Sequence, residues 1–162
     1  MIKDSGNRRE FESGAVRDIQ EGKGRCDLLP LDVVSKFFFD NKVLLAISCF
    51  QNTKDETYLY TALDEFVEMN SDWDRVTMIL EVSKHFEEGA KKYGEYNWQK
   101  GIPVNCYIDS AVRHYLKWLR SDKDEPHDRA FVWNILCCIW EIRHHESKDT
   151  NETFKKSTKS NG

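Results

Sequence analysis

From Leu31 to Trp140 the apolar side chains return every three to four residues, and that period restricts the chain to packed helices. Tyr58, Leu59, Ala62, Leu63, Phe66 and Val67 fall on one face of a helix predicted over residues 57–69. Two more apolar segments of helical length cover 31–40 and 42–51, parted by Asp40-Asn41. A longer helix is expected from about 74 to 93, with Ile79, Val82, Ser83, Phe86 and Ala90 as its buried stripe and Gly94 placed to stop it. Another spans 109–120, carrying Ala111, Tyr115, Leu116 and Leu119. The last follows Pro126, whose missing N–H costs nothing in a first turn, and carries Phe131, Val132, Ile135, Leu136, Ile139 and Trp140. Strands have little room. The expected fold class is all-α: a compact bundle of about five to six helices.

The ends differ from this middle. Residues 1–30 are polar and broken by Gly6, Gly14, Gly22, Gly24 and Pro30, which predicts an extended, glycine-containing N-terminal arm. Lys, Ser, Thr and Asn dominate 147–162, which reads as a disordered polar tail, leaving 31–146 as the helical domain. A net charge of −4 gives no overall attraction for nucleic-acid polymers or anionic membrane, so an anionic ligand needs a local cationic cluster. The five cysteines form no C-x-x-C pair and read as small apolar side chains in a reducing, intracellular setting. No segment has the length of a membrane span or the pattern of a signal peptide. Phe37-Phe38-Phe39 suits either ordinary core or helix-mediated self-association, that is, a homo-oligomer.

Four polar constellations stand out. Glu81, His85 and Glu88 share one helical face, with Glu87 beside them. Clustered carboxylates hold Mg²⁺ in phosphate chemistry, while a solvated charged face is the simpler reading of the spacing alone. The second set joins Arg113-His114 to Asp124, His127, Asp128 and Asn134. Asn134 lies between Trp133 and Ile135, where a buried amide requires partners; Asp124 or Asp128 also suits a helix cap. Third, Arg17, Lys23 and Arg25 lie among glycines, able to bring cations and backbone N–H groups to phosphates or simply to form a flexible basic arm. The stretch has no P-loop pattern. Fourth, Lys92, Tyr93, Asn97 and Trp98 combine a cation, an amide and aromatic faces suited to stacking on a base, or to anchoring a packed loop.

These stretches resemble the N-terminal domain of phage and prophage dATP/dGTP diphosphohydrolases. The matching blocks are Gly14-Ala-Val-Arg17-Asp18, Glu21-Gly-Lys-Gly-Arg25-x-Asp27-Leu-Leu-Pro30, Glu88 to Gly101 with Tyr93, Asn97 and Trp98, then Arg113-His114, and His127 followed by Trp133-Asn134. The resemblance implies a nucleotide pyrophosphohydrolase acting on a purine deoxynucleoside triphosphate in phage nucleotide metabolism, in the cytoplasm of the bacterial host. In the manner of MazG-like all-α enzymes it implies Mg²⁺ or Mn²⁺, with Glu88, His114, Asp124, His127 and Asp128 as ligands and Glu87, Glu88 and Asp128 as catalytic carboxylates. Arg17, Lys23, Arg25, Lys92, Tyr93, Asn97, Trp98, Arg113 and Asn134 would hold the nucleotide. MazG-like enzymes carry E-E-x-x-E, whereas Glu87-Glu88 is followed by Lys91. The alternative is therefore a non-catalytic module that sequesters a nucleotide or a nucleotide defence signal.

Overall fold

The computed structural model describes residues 6–146; the polar tail expected over 147–162 lies outside the described residues. Six α-helices form among these described residues, in the order α1 (Leu31–Phe37), α2 (Lys42–Thr53), α3 (Thr57–Met69), α4 (Arg75–Tyr93), α5 (Val104–Leu119) and α6 (His127–Glu141). The all-α class expected from the apolar period is the observed one. Among the described residues no helix is long and apolar enough to cross a membrane.

Local chemistry sets most boundaries. Phe39 and Asp40 adopt left-handed backbone (φ 58° each), which ends α1 three residues short of the expected point. Asn41 then caps α2, its Oδ1 accepting from the Leu44 N–H at 3.0 Å while its Nδ2 donates to Tyr115 Oη at 2.6 Å. Asp74 caps α4 by accepting from the Thr77 N–H at 2.7 Å. Helix α5 starts at Val104, five residues before the expected Asp109, because Pro103 supplies its N-terminal flank and Cys106, Tyr107 and Ile108 are buried in its first turns.

The core is an aromatic stack between α3, α5 and α6. Phe66 meets Phe131 with ring centroids 4.7 Å apart and Trp118 at 4.8 Å, and Tyr115 meets Phe131 at 5.4 Å. Such pairs add about 0.5–1.5 kcal/mol each beyond area burial. Of the cysteines, Cys106, Cys137 and Cys138 are buried, and all five are free thiols.

Two expectations are corrected. The buried stripe of α4 is Met78, Val82 and His85, while Ile79 is 54% exposed and Ser83 faces solvent. The helix is turned because His85 packs on Trp133 of α6 (5.3 Å) and Glu88 pairs with Arg129 of α6 (2.6 Å), so two residues assigned to a polar face point inward. The arm is also more ordered than a loop. It forms an antiparallel hairpin, β1 (Arg8–Glu10) and β2 (Val16–Asp18), with Arg9 opposite Arg17. Gly14, at φ 83°, closes its turn by donating to the Phe11 carbonyl at 2.8 Å. Phe37 and Phe39 of the apolar triplet stand exposed on the surface.

Candidate functional site

The hairpin lies over α4, α5 and α6, and polar contacts hold it there. The Asn97 side chain accepts from the Val16 N–H (2.9 Å) and donates to the Val16 carbonyl (2.8 Å), copying a strand partner. Ser13 Oγ donates to the Gly101 carbonyl at 3.1 Å. Asp18 accepts from Lys92 Nζ (2.9 Å) and Tyr93 Oη (2.8 Å) at the end of α4. Asp109 of α5, 4% exposed, accepts from Gln20 Nε2 (2.8 Å), the Cys26 N–H (2.7 Å) and Arg113 Nη2 (2.5 Å).

Beneath the hairpin is a cavity of about 760 Å³, within the range of small-molecule sites. One wall is aromatic, with Phe86, Tyr93, Tyr96 and Trp98; another is cationic, with Arg17, Lys23 and Arg113; His114 and Glu125 line it as well. Arg17 donates from Nη2 to Asn134 Oδ1 (3.0 Å) and Ser110 Oγ (3.3 Å), and its guanidinium lies over the Tyr107 ring at 5.2 Å. The buried amide of Asn134 is completed by donation to the Ala130 carbonyl at 2.8 Å. Among the described residues five buried atoms of the lining have no partner: Arg9 Nε, Arg17 Nη1, Arg113 Nε, Trp133 Nε1 and His85 Nδ1. Unmatched buried donors cost about 1–3 kcal/mol each, so acceptors entering the cavity would relieve a standing penalty. Lys23 is held below its ordinary pKa by burial first, with Arg113 and Lys92 adding repulsion against the opposing pull of Asp18. An anion placed among these cations reverses that repulsion.

At one end α5 presents His114 to the start of α6. His114 Nδ1 lies 3.0 Å from His127 Nδ1, and Glu125 Oε1 lies 3.7 Å from the first and 3.8 Å from the second. His127 Nε2 is 2.7 Å from Asp124 Oδ1, and that bond pulls the Asp124 carboxyl down to about 2. Burial, followed by the neighbouring His127, pushes His114 well below its ordinary pKa. Its ring is therefore neutral at pH 7 and retains a lone pair for a ligand. Among the described residues, His114, Glu125 and His127, and separately Asp122, Asp124 and His127, are grouped closely enough to hold a metal ion.

The residues singled out from sequence therefore divide. Arg17, Lys23, Glu87, Tyr93, Asn97, Trp98, Arg113, His114 and Asn134 line the cavity. His127 and Asp124 adjoin it through His114. Glu88 bonds to Arg129 (2.6 Å), Asp128 Oδ1 accepts from the Arg129 N–H (2.8 Å), and Arg25 pairs with Asp27 (2.6 Å); these three do not line the cavity. Lys92 is outside the lining and touches two of its residues, Asp18 at 2.9 Å and the Tyr93 ring at 5.0 Å. Glu87, on the rim, pairs with Lys91 at 2.7 Å. Trp98 packs edge-on against Phe86 (5.4 Å) and Trp140 (5.0 Å) as well as facing the cavity. Asp18 and Asp109 are not among the candidate residues of the sequence, while His85, grouped there with Glu81 and Glu88, and Glu125, three residues before Asp128, both line the cavity. The spacing of Asp109 to Arg113, one helical turn, is the signal that marks Asp109.

A cavity between α4, α5 and α6, roofed by a two-stranded hairpin, sits in an all-α chain. The family model described as dATP/dGTP diphosphohydrolase, N-terminal, matches residues 70–151, just over half of the length. The chain belongs to that family. No curated protein and no solved structure gives a significant match.

Proposed function

We propose that the chain hydrolyses a purine deoxynucleoside triphosphate to the monophosphate and pyrophosphate in the cavity beneath the hairpin. The observation that carries this reading is the set of unpartnered donors, Arg17 Nη1, Arg113 Nε and Trp133 Nε1, in a cavity that also holds Lys23 among like charges. A triphosphate offers the acceptors and negative charge that these groups lack. Arg17, Lys23 and Arg113 bind the phosphates in this scheme. Tyr93, Tyr96 and Trp98 face the base, and Asn97 keeps the hairpin seated over both.

Water attack at the α-phosphorus breaks the bridging bond to the β-phosphate, and pyrophosphate leaves. Because the leaving group is strongly anionic, fixed cations along its path lower the barrier. The acid and histidine groups at the His114 end would hold a divalent cation; Mn²⁺ suits those donors, and Mg²⁺ is tried beside it because the family resemblance implies it. Such an ion supplies Lewis-acid neutralisation of phosphoryl charge. The family description supports the substrate class.

The test is incubation with each dNTP and Mg²⁺ or Mn²⁺, followed by chromatography of the products. dNMP and pyrophosphate are expected, with purines preferred, and absence of both under every condition rejects hydrolysis. Arg17→Met and Arg113→Met should each lower kcat/KM by about 10–100-fold, the worth of a charge-assisted bond of roughly 1.5–3 kcal/mol.

A second reading has one observation in its favour. Lys91 occupies the place of the third glutamate of E-E-x-x-E and pairs with Glu87 at 2.7 Å, which removes that route to a carboxylate-held metal. On this reading the chain is a sequestering module, and a nucleotide recovered intact from the denatured protein, with no turnover, would establish it.

A further inference from the structure

We infer that His114, Glu125 and His127 form a three-donor site for a borderline transition ion such as Zn²⁺, Co²⁺ or Mn²⁺, with Asp124 as the carboxylate that orients His127. The inference rests on the proposed hydrolysis only in placing the ion beside the substrate cavity.

The first argument is geometric. His114 Nδ1, His127 Nδ1 and Glu125 Oε1 mark a triangle with sides of 3.0, 3.7 and 3.8 Å. Its circumscribed circle has a radius of about 2.0 Å, which matches the roughly 2.0–2.2 Å bonds from zinc to imidazole nitrogen and carboxylate oxygen. One point is thus a bond length from all three donors, with the cavity side left for further ligands.

The second argument counts protons. Asp124 Oδ1 lies 2.7 Å from His127 Nε2, so the His127 proton belongs on Nε2 and its Nδ1 carries a lone pair toward His114. The Glu125 carboxylate also only accepts. His114 Nδ1 and His127 Nδ1 therefore share at most one proton between them, whereas one cation serves both lone pairs. The carboxylate–imidazole–metal arrangement is the usual way a ligating histidine is fixed.

The donor types select the metal. Two imidazoles and one carboxylate suit zinc and its neighbours, while Mg²⁺ favours all-oxygen, octahedral surroundings. The other cluster, on the far nitrogen of His127, is a poorer site because Asp122 is bound by Arg120 through two bonds of 2.7 and 2.5 Å.

The experiment titrates chelator-treated full-length protein with Co²⁺ and follows visible d–d absorption, then displaces Co²⁺ with Zn²⁺. One Co²⁺ per chain with bands of low-symmetry nitrogen–oxygen coordination is expected. Glu125→Gln should weaken binding at least tenfold, and Asp124→Asn by about 10–100-fold. Both changes are isosteric, and circular dichroism checks that the fold is kept. His127→Gln should abolish the bands. Absence of Co²⁺ binding by the folded wild-type chain, or binding unchanged in Glu125→Gln and His127→Gln, overturns the site. Bands without any dNTP turnover would keep the site and refute the hydrolysis, whereas Mg²⁺-supported turnover without bands would do the reverse.

Discussion

Replacing Asp109 by Ala removes the anchor between the arm and α5, and the structure sets the size of the effect. The carboxylate is 5% exposed and its partner Arg113 16% exposed in their side chains. Removing one member of a buried pair costs about 3–5 kcal/mol, because the remaining charge stays desolvated. The Cys26 N–H and Gln20 Nε2 lose their acceptor as well, at 2.7 and 2.8 Å. These losses overlap, so about 3–5 kcal/mol is taken for the whole site. If the chain unfolds as one unit, Tm falls by about 10 °C, at roughly 2–4 °C per kcal/mol for a chain of this length. If the arm opens first, the global Tm falls less and the cost appears locally. Hydrogen exchange separates the two. The Cys26 amide should exchange at least about a hundredfold faster in Asp109→Ala, since 1.4 kcal/mol is a factor of ten. Asp109→Asn, which keeps an acceptor and loses the charge, should lie between. An unchanged Cys26 exchange rate together with an unchanged Tm in Asp109→Ala would refute the anchoring argument outright.

Acid should destabilise the fold through His85. Burial first, then Arg129, lowers its pKa from 6.5 to about 4, so between those values the unfolded chain binds a proton that the native chain refuses. Stability is full above pH 6.5 and declines toward pH 4 by up to about 3 kcal/mol; urea titrations at both pH values should show less decline in His85→Phe than in the native chain. Gly101→Ala should cost about 1–2 kcal/mol by thermal unfolding, because the residue sits at φ 96° and a Cβ would meet Ser13 Cβ at 3.3 Å. Phe131→Ala should cost about 3–5 kcal/mol in the same assay, since the ring is fully buried between Phe66 and Tyr115.

The helices were legible because each carries enough turns for an apolar face to repeat; α3 is found at 57–69 as expected. The hairpin was not. Its strands, Arg8–Glu10 and Val16–Asp18, have three residues each, too few to show alternation, and their order comes from Asn97, Lys92 and Asp109 far along the chain. In the site, polar residues inside an apolar helix gave themselves away: Asn134 was noticed because its burial demanded partners, and Arg17 and Ala130 are those partners. Asp109 was missed because it was read as a helix boundary, where an acid needs no other explanation. Glu125 pairs by spacing with Asp128, three residues on, but only the fold turns it toward two imidazoles instead. His85 differs in another way. Counted as polar, it concealed the true inward face of α4.

The division of the cavity between two stretches of chain bears on what the family-matched part can do alone. Residues 70–151 contain α4, α5 and α6, and so His114, Glu125, His127, Arg113 and the aromatic wall. Arg17 and Lys23, and the Asp18 that organises Lys92, come from before residue 70. Without the arm, Asp109 and Arg113 lose their cover, Asn97 loses Val16, and the cavity becomes an open groove in which water screens every charge. An enclosed site strengthens the same cations severalfold by excluding that water. The helices therefore hold the imidazoles, while the glycine-rich arm supplies two cations and the cover over them; on the proposed reading neither part alone binds a triphosphate tightly.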